Sequence, residues 1–121
     1  GEARYAVIGR FVETSLPPQA VLLSMQHSGS IRLYSGRLTA RFDWLPPTRL
    51  DWLVAELRTR GYGTYAVLED WEEPLFRKRF EQTSPLAPLA WRPLARTQRD
   101  SHVSIYDLSG AEPSGPTRVL D

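Results

Sequence analysis

Cysteine is absent from this 121-residue chain, lysine occurs once, at Lys78, and no apolar run is long. Each shortage removes a class of function. Without thiols there is no disulfide, no thiolate metal site and no cysteine nucleophile, and the redox compartment is left undetermined. The longest strictly apolar runs, such as Ala20 to Leu23, are about four residues, far below the ~20 needed to span a bilayer. Charge of one sign is missing too. Fifteen basic residues against 14 acidic ones leave a formal net charge of +1, which gives no global field for steering nucleic acid or an anionic membrane. The arginines are spread along the chain, so no nucleic-acid partner is expected. The nucleotide motifs are lacking as well: there is no Walker lysine motif and no G-x-G-x-x-G, since Gly61-Tyr62-Gly63 precedes an apolar run instead of following one.

What remains is ordinary globular composition. Hydrophobic residues are 41% and charged residues 24%, which excludes a disordered or fibrous chain, and a domain of this length buries roughly two thirds of its unfolded surface. One α/β domain is expected over residues 1–109. The Pro/Gly/Ser-rich stretch 110–121 reads as a loose C-terminal tail. The chain opens at Gly1-Glu2 without a methionine and enters a helical pattern at once, as expected of a piece of a longer protein.

Periodicity divides the domain. Tyr5, Ile8, Phe11 and Val12 make one face of a first helix that ends before Pro17-Pro18. Ala20 to Met25 reads as a buried strand, Gly29 to Tyr34 as a short helix stopped at Gly36, and Leu38 to Trp44 as an alternating, half-exposed strand. Pro46-Pro47 opens the clearest helix, with Leu50, Leu53, Val54 and Leu57 on one face and Gly61 as its left-handed cap. Thr64 to Asp70 is a third strand. A helix follows from Pro74, with Leu75, Phe76 and Phe80 on its buried side and Glu72 and Glu73 suited to the positive end of its dipole. Beyond Pro88 the period changes to two strands separated by a polar turn, an antiparallel pair in which Pro93 favours an edge position. The order αβαβαβαββ predicts a small Rossmann-like α/β sandwich: three parallel strands with crossover helices plus a C-terminal antiparallel strand pair.

In such a sheet the βα turns open at one edge, outside the carboxyl ends of the strands. Three polar turns converge there and supply the candidate ligand-binding residues: Gln26, His27, Ser28, Gly29 and Ser30 after the first strand, Asp43 and Trp44 after the second, and Glu69, Asp70 and Trp71 after the third. Ser28 to Ser30 would present backbone N–H groups at a helix N-terminus, beside an imidazole able to donate to a phosphate or a sugar hydroxyl. The plain alternative is that Ser28 caps the helix and the acids of Glu69 to Glu73 satisfy the next helix dipole. Trp44 and Trp71 each follow an acid, an arrangement that suits sugar rings and equally suits packing over a loop; Trp52 and Trp91 are expected in or near the core. A Mg²⁺ site would need Asp43, Glu69 and Asp70, with or without His27, to meet, and no spacing requires it. No G-x-S-x-G elbow exists, and adjacent His27 and Ser28 do not make a base and nucleophile pair. No catalytic residue, metal or cofactor is assigned.

The stretch "LPPQAVLLSMQHSGSIRLYSGRLTARFD", with the long helix and "YAVLEDWEEPLFRKRF" after it, resembles the soluble C-terminal region of bacterial membrane glycosyltransferases of the GT-C type, the dolichyl-phosphate-mannose protein mannosyltransferase-like group. The resemblance covers about Tyr5 to Leu108. It implies an accessory domain on the extracytoplasmic (periplasmic) face of the membrane, whose partners are the transmembrane portion of the same polypeptide and the sugar or phosphate head group of a lipid-linked donor. The acidic loops that carry catalysis in that family have no counterpart here, so the resemblance assigns no catalytic residue. A free-standing soluble phosphate- or sugar-binding protein, or an enzyme using the same edge, is the alternative.

Overall fold

The computed structural model describes residues 2–25, 28–99 and 102–121. Helix α1 spans Glu2–Ser15, strand β1 Ala20–Ser24, helix α2 Ser28–Ser35 and strand β2 Leu38–Arg41. A 3₁₀ turn over Phe42–Trp44 leads to α3 at Leu50–Thr59, β3 at Gly63–Glu69 and α4 at Glu73–Phe80. The chain closes with β4 at Ala95–Arg96, β5 at Val103–Asp107 and β6 at Arg118–Val119. The described strands form one mixed sheet in the order β2-β1-β3-β5-β4-β6. The first three are parallel, with Leu22 beside both Thr39 and Tyr65. β5 runs antiparallel to β3 and to β4.

Helices cover both faces. Tyr5, Ile8, Phe11 and Val12 of α1 and Ile31 of α2 pack on Leu22, Val67 and Ile105. Leu50 and Val54 of α3 and Phe76 and Phe80 of α4 pack on Leu23, Ala66 and Leu68. Alternate strand residues feed opposite cores, as the period of two requires. Phe42, Phe76 and Phe80 meet edge to face or tilted, with centroids 5.0 to 6.5 Å apart. The two helices on the first face touch closely at Gly9: a Cβ there would stand 2.7 Å from the Tyr34 carbonyl carbon, so only glycine permits this approach. Arg37 ties the same pair at its lower end, donating to the carbonyls of Glu13, Pro17 and Ser35, groups that a helix terminus leaves open.

Four local expectations give way. The second strand ends at Arg41, because Phe42 turns into the core in a 3₁₀ turn. Leu75 stays 43% exposed although its neighbour Phe76 is buried, since α4 is short and buries Glu73, Phe76 and Phe80. Trp52, expected in or near the core, is 54% exposed, with the Arg49 guanidinium over its ring. The segment read as a loose tail supplies β6, parallel to β4. It is tied by Arg92, which donates to the carbonyls of Pro113 and Gly115, and by the Asp121 carboxylate, which accepts the N–H groups of Gln98 and Arg99.

Candidate functional site

The carboxyl ends of β1, β2 and β3 lie at one edge of the sheet, and the turns that leave them differ sharply. Gln26 and His27 lie outside the described residues, as does the side chain of Ser28, which opens α2. Gly29 is exposed and Ser30 half-buried on the first turn of that helix. At the end of β1 the Ser24 hydroxyl, in a residue 1% exposed, has no hydrogen-bond partner among the described residues. Leaving a buried hydroxyl unsatisfied costs about 1–3 kcal/mol. Ser24 pairs in register with Arg41 of β2, so the two side chains leave the sheet on the same face.

After β2, Arg41 and Asp43 form a bidentate pair at 3.0 and 2.6 Å. Held by the hydrogen bonds of this guanidinium, the Asp43 carboxyl titrates below its ordinary value. The same guanidinium lies 4.4 Å over the Trp44 ring, whose residue is 73% exposed. Trp44 forms one wall of an open cleft of about 680 Å³, lined also by Gly29, Arg32, Thr39, Arg41 and Leu45 among others. A second groove of about 480 Å³ lies on the other side of the 3₁₀ turn, between Met25, Phe42, Asp43, Pro47, Leu75, Lys78 and Arg79.

After β3 the acids turn inward. Glu69 is 4% exposed; one carboxylate oxygen meets Arg4 of α1 at 2.8 Å and the other accepts the Trp71 indole N–H at 2.8 Å. Glu72, 2% exposed, accepts the Glu69 backbone N–H at 2.9 Å. Glu73 receives the Tyr106 hydroxyl and Arg77, both at 3.0 Å. Asp70 is bridged by Arg96 at 2.9 and 3.0 Å, and Arg96 also contacts the His102 Nδ1 at 2.8 Å. Burial raises the Tyr106 phenol to about 12, with the Glu73 charge adding to the shift. Burial likewise raises Tyr5, beside Arg4, to about 12. Neither cleft is lined by Glu69, Asp70 or Trp71.

The ten residues expected at this edge therefore separate into groups. Gly29 and Trp44 line the larger cleft and Asp43 the smaller; Glu69, Asp70 and Trp71 form an ion-paired network. Among the described residues no three His, Asp or Glu side chains are grouped to hold a metal ion. Sequence reasoning did not select Arg41 or Thr39, although strand alternation sends both to one face of β2, the face that flanks α2. Comparison with known protein families, with curated proteins and with solved structures finds no match.

Proposed function

We propose that the chain is a non-catalytic accessory domain of a polyprenyl-phosphate-sugar-dependent membrane glycosyltransferase, on the extracytoplasmic side, and that it holds the sugar-phosphate head group in the cleft beside β2. The sheet is read as Rossmann-like, with binding outside the carboxyl ends of its parallel strands. The observation that carries this reading is the pairing of an exposed indole with two guanidinium groups: Trp44 offers an aromatic wall to a sugar ring, and Arg32 and the Arg41 Nη1, which Asp43 does not engage, flank the same cleft for a phosphate. The carboxylates of this edge are bound to arginines, which favours holding a ligand over acid–base chemistry on it. The parent enzyme is proposed from the sequence resemblance alone.

Titration of the 121-residue chain with sugar phosphates, followed by amide and indole chemical shifts, tests the head-group site. Shifts are expected at Gly29, Arg32, Thr39 and the Trp44 indole, and Arg41→Ala abolishes them. Silence at these positions up to millimolar ligand overturns the reading. Measurable turnover by the isolated chain would favour the free-standing enzyme instead.

A further inference from the structure

We infer that the carboxyl edge of the sheet is a docking face for the surface of an anionic phospholipid bilayer. Among the described residues, Trp44, Trp71 and Leu75 are large apolar side chains left 73%, 45% and 43% exposed. All three follow the carboxyl ends of β2 and β3. Between the two turns runs the smaller groove, with Met25, Phe42, Pro47 and Leu75 as apolar walls and Lys78 and Arg79 as its cations. The Trp71 indole N–H is already satisfied by Glu69, so its remaining exposed surface is hydrocarbon. Indole rings with cations nearby are the composition of a surface that rests at lipid head-group level.

The charge balance at this edge supports an anionic occupant, although the whole chain is nearly neutral. Four acids near the edge are paired within the chain, Glu69 with Arg4, Asp43 with Arg41, Asp70 with Arg96 and Glu73 with Arg77, and Glu72 is buried against the Glu69 N–H. Among the described residues Lys78 and Arg79 form no ion pair with a carboxylate, so the field presented outward from the groove is positive. The inference goes beyond the sugar-phosphate reading, because a phospholipid surface contains neither a sugar nor a polyprenyl chain.

Flotation of the 121-residue chain with vesicles of phosphatidylcholine, alone or mixed with phosphatidylglycerol, tests it. Binding is expected on the mixed vesicles, weaker on phosphatidylcholine alone and falling with added salt. Lys78→Ala lowers the partition about fivefold, the effect of one interfacial cation, and Leu75→Glu lowers it further. Leu38→Ser, an exposed apolar change at the opposite end of β2, leaves it unchanged. A thermal melt of each variant separates lost binding from lost folding. No flotation of the unaltered chain on mixed vesicles, equal binding to both vesicle types, or an equal loss in Leu38→Ser and Leu75→Glu would overturn the inference. The sugar-phosphate titration, run without vesicles on Lys78→Ala, reports on the other cleft separately, so either idea can fail alone.

Discussion

Two tripeptides of this chain, Phe42-Asp43-Trp44 and Glu69-Asp70-Trp71, look alike and are put to opposite uses. Both end an acid–tryptophan pair at the carboxyl end of a parallel strand. In the first, the apolar Phe42 turns into the core, the Asp43 carboxylate pairs with Arg41 at the surface, and the indole is left over a cleft. In the second, the residue that turns inward is an acid, so α1 must bring Arg4 to meet it and the indole must supply a further donor. The lesson concerns the residue ahead of the pair. An apolar side chain there leaves the indole without a carboxylate partner on the preceding turn, whereas a buried acid takes up the indole N–H.

The largest effect should come from breaking the inward-turned site. Glu69→Ala leaves the Arg4 guanidinium, 14% exposed, without its carboxylate and is expected to cost about 3–5 kcal/mol. Urea unfolding measures this, and the double change Arg4→Met with Glu69→Leu should recover most of the loss. Next in size is an alkaline effect confined to the buried side of the comparison. Tyr5 and Tyr106 have folded-state values of about 12 against an ordinary 10.0, so the stability they contribute is complete below about pH 10 and is lost as pH rises toward 12. On the order of 2 kcal/mol is at stake for each. Melting temperatures should fall over that window, and Tyr106→Phe should remove its share of the slope. At neutral pH the same substitution deletes one hydrogen bond to Glu73 and should cost about 1 kcal/mol. The smallest stability effect belongs to the outward site: Trp44→Ala should change the unfolding free energy by no more than about 0.5 kcal/mol, while abolishing the sugar-phosphate shifts at Gly29 and Arg32. A large loss of stability there would erase the contrast between the two turns.

The frame of the domain was legible where local chemistry decides it. Pro17-Pro18 after α1, Gly36 and Gly61 at positive φ after α2 and α3, and the apolar runs of β1 and β3 all stand where expected. Strand order was less accessible, because periodicity says nothing about which neighbour a strand chooses. Glu72 and Glu73 read from sequence as acids at a helix start; they are buried because the partners that stabilise them, Tyr106 and the Glu69 backbone, come from other elements. The edge itself was visible in the three polar turns. Its division into a cleft and an ion-paired network depends on Arg4 and Arg96, which lie far from Glu69 and Asp70 in sequence and give no local sign of their role.

The contact between Gly9 and Tyr34 makes the two helices of the first face a gauge with a zero-thickness spacer. The helix that meets Gly9 also brings Gly29 and Arg32 to the cleft. The breadth of that cleft is therefore calibrated from across the domain, at a glycine that touches no part of it. One added methyl group would shift α2 bodily against the sheet, since the opposing atoms are the Tyr34 Cβ and carbonyl, which cannot swing aside. Selection acting on the cleft would consequently be felt at a position that an inventory of its walls would never include.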